Sequence, residues 1–192
     1  MTSFRESADP VTMYAETLKL IATFAERAPS PVLSSRLDHL FRCLAATTLP
    51  VEANQTEDRI WELWMTHPNA AAARVLDRAV TDIATRLYDI AETRLATLLR
   101  ALPDFPEAWN KRATLYYLLE RDDDFVRDVH RTLQLEPRHF GAICGFAEVC
   151  LGRGQRDAAL FAFRAALRIN PHLRQVREVV ADLDAGGAGT AH

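Results

Sequence analysis

Three prolines, Pro103, Pro137 and Pro171, stand 34 residues apart twice over, and each follows an apolar-periodic run. Those runs end at Leu99 and Ala101, at Leu133 and Leu135, and at Leu167 and Ile169. Proline cannot continue a helix and biases the residue before it away from the α region. Three helices therefore stop in one register, each followed by a turn. Ala79, Ala113 and Ala147 keep the same period inside the helices, where a small side chain lets a neighbouring helix approach. Two residue types holding one period over three units leave little room for chance. Such a period is the signature of stacked units that cannot bury their apolar faces alone.

The pattern resembles the tetratricopeptide repeat (TPR): W-x2-L-G-x2-Y, then A-x3-F, then P, over 34 residues. The central unit carries Trp109, Ala113 and Tyr116, then Val129 and Pro137. The next supplies Ala147, Ala159, Phe163 and Pro171, and the preceding one Ala79, Ala91, Leu95 and Pro103. Departures are Arg78 and Arg112 where leucine is preferred, Phe125 for alanine, and Asp82 and Cys150 for tyrosine. The resemblance covers residues 72–171 and extends to small stand-alone bacterial TPR proteins, through Ala108-Trp109-Asn110-Lys111-Arg112-Ala113 and Pro137-Arg138-His139-Phe140-Gly141-Ala142. It implies an all-α solenoid of helical hairpins wound as a right-handed superhelix, with units at 72–105, 106–139 and 140–171.

Outside those units, residues 10–28 read as an amphipathic helix with Leu18, Ile21, Ala22 and Ala25 on one face, stopped by Pro29 and Pro31. It is expected to cap the solenoid or to fold into its groove, with 1–33 forming an N-terminal helix and linker. Ile60, Trp61, Leu63 and Trp64 recur at helical spacing before Pro68, which suggests a degenerate helical pair over 34–71. Its first helix is expected at 34–47, with Ser34 or Ser35 as N-cap and Asp38 completing a capping box. The connection through Leu49-Pro50-Val51-Glu52-Ala53-Asn54 reads as longer than a repeat turn. Val176, Val179, Val180 and Leu183 give a one-sided capping helix at 172–184, and the glycines of 185–192 a flexible tail.

Composition narrows the function. A net charge of −3, with no basic stripe, argues against nucleic acid. No apolar run approaches the ~18 residues of a membrane span, and 11–28 makes a poor leader. The expected location is the cytoplasm, with the periplasm or an organelle as alternatives. Cys43, Cys144 and Cys150 read as buried free thiols, and no metal or cofactor site is expected. No nucleophile elbow, phosphate loop, HExxH or CxxC is present, so no enzyme is expected. Asp122, Asp123 and Asp124 read as a turn in which Asp124 caps the next helix, and His130 and His139 as lacking a partner that would orient either as a base.

By the resemblance, the first helix of each unit lines a concave groove that binds a protein or peptide. This assigns Leu76, Val80 and Ile83 from one unit, Asn110, Lys111, Thr114 and Tyr117 from the next, and Gly141, Cys144, Gly145 and Glu148 from the last. Trp109, Tyr116, Phe146 and Phe163 are expected in the core. Gly141 and Gly145 each cost a helix about 1 kcal/mol against alanine, which points to close approach of another backbone. Lys111 alone supplies a cation at the places used to clamp acidic chaperone tails, so a receptor of that kind is disfavoured. The expected function is an adaptor or scaffold; the alternative is a non-catalytic structural subunit of a larger assembly.

Overall fold

The computed structural model describes residues 10–31, 33 and 35–188. Among them are ten α-helices and no strand: α1 Pro10–Ala22, α2 Arg36–Ala46, α3 Pro50–Trp64, α4 Ala70–Ala84, α5 Tyr88–Ala101, α6 Pro106–Leu118, α7 Asp122–Leu135, α8 Phe140–Gly152, α9 Arg156–Ile169 and α10 Arg174–Ala188. Helices α4/α5, α6/α7 and α8/α9 are antiparallel hairpins stacked in chain order, and α10 closes the stack against α9.

The repeat is written in the backbone as well as in the side chains. Arg86, Glu120 and Gly154, again 34 apart, are the three described residues with positive φ (61°, 55° and 73°), and each turns the chain from the first helix of its unit to the second. The C-caps Leu102, Glu136 and Asn170 each donate their N–H to the carbonyl four residues back, and Glu136 and Asn170 are extended. Glu136 and Asn170 are fully buried, and their side chains accept the N–H of Arg138 (3.0 Å) and His172 (3.0 Å), which satisfies donors in the turn. Ala79, Ala113 and Ala147 are all at most 1% exposed, as close helix approach requires.

The N-terminal segments depart from the expected packing. Helix α1 lies on α7 and α9, the second helices of two units, and buries Tyr14, Thr17 and Ile21; Ala22 and Ala25 are exposed. It therefore sits outside the groove. The linker then wraps the C-terminal end of α7, where Ser30 N–H donates to Leu135 O (2.6 Å) and Arg27 to Leu133 O (2.9 Å). The connection before α3 is short, because Pro50 starts the helix at its first position, where its missing N–H is no loss. Thr47 organises that turn: its hydroxyl donates to Glu52 (2.8 Å) and accepts from Leu49 N–H (3.2 Å). Ser35 adopts a helical conformation and makes no side-chain cap, so the expected capping box is absent there; Ser34 lies outside the described residues. Helix α10 runs on through Gly186 to Ala188, into the stretch expected as a flexible tail, and 189–192 lie outside the described residues.

Two apolar cores result. One joins α1, α2 and α3 to the second and third units. The other is built from α4, α5 and the face of α6 that carries Ala108 and Leu115.

Candidate protein-binding surface

The pair α2/α3 does not stack ahead of α4 as a further repeat; it lies across the N-terminal ends of α6 and α8. Its amphipathic face buries Leu37, Phe41 and Leu44 from α2 with Thr56, Ile60 and Trp64 from α3. Trp64 stacks on His139 with ring centroids 4.0 Å apart and planes at 10°, and Trp61 meets His139 and Phe140 edge-on. A Cβ on Gly141 would come within 2.5 Å of Trp61 Cη2. The close approach that this glycine permits is thus that of an indole, not of a backbone. Polar ties surround the seat: Asn170 donates to Glu57 (2.8 Å), His172 Nε2 lies 3.0 Å from Leu44 O, and Arg138 bonds Asp38 (2.6 Å) while covering the Phe41 ring.

Beneath the indoles lies a buried charge. Glu107 and His139 are both fully buried and paired at 2.8 Å, and Lys111 reaches the other Glu107 oxygen at 2.9 Å. His139 Nδ1 accepts the Ala142 N–H as an N-cap, so its Nε2–H donates to Glu107. Burial alone would raise the Glu107 pKa; hydrogen bonds and charge from His139 and Lys111 bring it below the usual carboxylate value. His139 therefore has the orienting partner expected to be missing, but full burial keeps both groups from any substrate. The pair is 32 residues apart in the chain, near the start of α6 and at the N-cap of α8, too far apart to be read from local spacing.

The assigned groove residues divide between covered and open. Leu76 is fully buried in the first unit's core, and Val80 and Ile83 are half-buried. Asn110 is buried and donates to Glu107; Lys111 lies 5.4 Å from the Trp61 ring centroid. Gly145 faces Phe125 of the preceding helix, where a Cβ would come within 3.2 Å. Cys144 is half-buried; burial first, then Glu148 and Glu57, push its thiol up to about 12. Thr114, Tyr117 and Glu148 are exposed. Beside them is Leu118, which the sequence did not single out, 47% exposed against 45% for Tyr117.

Other expected roles change too. Trp109 is half-buried under Arg112, although Tyr116, Phe146 and Phe163 are buried. Asp124 pairs with Arg121 and Arg127 instead of capping α7. Cys43 is half-buried, its Sγ 3.5 Å from His39 Nε2. Among the described residues no cluster of three or more His, Cys, Asp or Glu could hold a metal ion, and no helix is long and apolar enough to cross a membrane.

No family model matches the chain. It is 29% identical over 178 residues to a TPR repeat-containing protein of Rhizobium etli, a match covering 93% of this chain and 86% of that one. The solved structure of a point mutant of MamA superposes with a TM-score of 0.51 at 15% identity, over 94% of this chain and 91% of the other, which shows the fold.

Proposed function

We propose, taking this as a tetratricopeptide-repeat chain, that it is a protein-interaction scaffold without catalytic activity, whose partner lies along the C-terminal half of the concave surface. One observation carries this reading. Tyr117 and Leu118 stand adjacent and about half exposed at the end of α6, while α3 covers the N-terminal half of the same surface. An exposed aromatic beside an exposed aliphatic is the composition of a binding anchor. The repeat register places Ile83 and Leu151, both half-buried, where Tyr117 stands in its own unit. Thr114 and Glu148 share the corresponding place one helical turn earlier and offer polar groups to a backbone. An extended peptide or helix of modest length fits such a strip.

The test is partner capture by the intact chain, read by mass spectrometry, beside capture by Tyr117→Ala, Leu118→Ala. Both side chains are about half exposed and belong to neither core, so thermal melts should move little while capture falls at least about tenfold. Unchanged capture by the folded double variant would reject this strip and favour the structural-subunit alternative.

A further inference from the structure

The repeat register identifies a docking seat that no described helix of the chain fills. In the second unit, three places dock on α5 of the first: Tyr116 donates to Glu92 (3.2 Å), Arg121 bonds the same carboxylate (3.0 Å), and Arg112 lines a cleft with Glu92, Ala96 and Arg100. In the third unit, Gly145 packs on Phe125 of the unit before it. Thirty-four or sixty-eight residues earlier these places are Asp82, Leu87, Arg78 and Asp77. They belong to the first unit, and among the described residues no helix precedes it in the stack to meet them, because α3 is seated against α6 and α8 of the later units. Leu87 and Ile90 are 48% and 49% exposed, and a 560 Å³ cleft lined by Val75, Ile90 and Arg94 adjoins them.

We propose that this seat is filled by the same seat of a second copy, giving a two-fold dimer joined first unit to first unit. Two observations choose that occupant. The other end of the stack is closed by α10, whose apolar face packs inward and whose outer face carries Arg177, Glu178 and Asp182, so head-to-tail addition would set Leu87 and Ile90 against charge. The seat also carries the carboxylate of Asp77 beside the guanidinium of Arg78, neither ion-paired with any described residue. A two-fold axis brings Asp77 of one copy to Arg78 of the other, twice, which makes the face complementary to itself.

Sedimentation equilibrium of the full chain at micromolar concentration tests this. A dimer is expected, converted to monomer by Leu87→Glu, Ile90→Glu with unchanged far-ultraviolet circular dichroism. Asp77→Arg should raise the dimer dissociation constant at least about tenfold, and Asp77→Arg, Arg78→Asp should restore it. A monomeric wild type, a ladder of higher oligomers, or a dimer indifferent to the Leu87 and Ile90 changes would overturn the proposal.

Discussion

The second and third units are gripped on two sides, by α1 on their second helices and by α3 across the ends of their first helices, whereas the first unit is held by stacking on α6 and by Met65 just beyond α3. The same 34-residue frame therefore supports two kinds of stability. In the first unit Leu76, Ala79, Ala91 and Leu95 close a local core, and each lies within one hairpin. In the later units, residues from 14 to 64 fill places that no neighbouring repeat fills. A repeat array is ordinarily a sum of units and nearest-neighbour interfaces. Here a non-neighbour holds part of it.

The strongest way to break this contrast is Trp64→Ala, which removes a fully buried indole and should cost about 3–5 kcal/mol. Hydrogen exchange should quicken in α2, α3 and α8 and leave α4 and α5 protected; uniform quickening would mean that the units are not separable. The converse change, Leu95→Ala, should cost about 2–5 kcal/mol and open the first unit, leaving Trp61 and Trp64 fluorescence native below the main transition.

Gly141→Ala is subtler. Its Cβ must displace Trp61, so a loss of about 1–3 kcal/mol in urea is expected, with a shift in tryptophan emission. Gly152, where a Cβ meets nothing within 4 Å, is the control, and alanine there should be neutral or stabilising.

Acid should loosen α1 before the rest. Burial holds the His130 pKa below its ordinary value, and its ring faces Thr17 at 3.2 Å. The neutral ring is thus favoured by folding: this contribution is whole above about pH 6.5 and is lost as pH falls toward the lowered value. His130→Gln should flatten that part of the pH profile; an unchanged slope would place the effect elsewhere. The smallest effect is expected at Glu120, where a left-handed backbone strains a non-glycine residue; Glu120→Gly should gain about 1 kcal/mol or less in thermal stability.

The periodic part of the fold was legible because it is local. Proline and alanine spacing placed the six repeat helices, and turns at 102–105, 136–139 and 170–173 fall where the prolines demand. The left-handed turn residues were harder to see, since Arg86 and Glu120 carry no glycine signal. The surface α3 covers was not legible: Trp61 and Trp64 announce an apolar helix face, but periodicity does not say which surface receives it. Gly141 was the one clue, a helical glycine whose cost needed a reason, and the reason was a side chain eighty positions away. Spacing likewise puts Asn110 and Lys111 on the groove face of α6 and leaves unknown the burial of Asn110 and the Trp61 ring that Lys111 meets.

The wrap of the linker around α7 also sets an order of events during synthesis. Arg27 bonds a carbonyl 106 positions later, His172 one that lies 128 positions earlier, and Arg153 reaches Tyr14 across 139. A ribosome delivers Trp61 and Trp64 long before the groove that receives them exists, so both indoles wait in water or on a chaperone until α8 has emerged. Stalled nascent chains ending before residue 140 should have tryptophans open to a soluble quencher, and chains extended past residue 175 should not. The last units made are the ones that let the first helices fold.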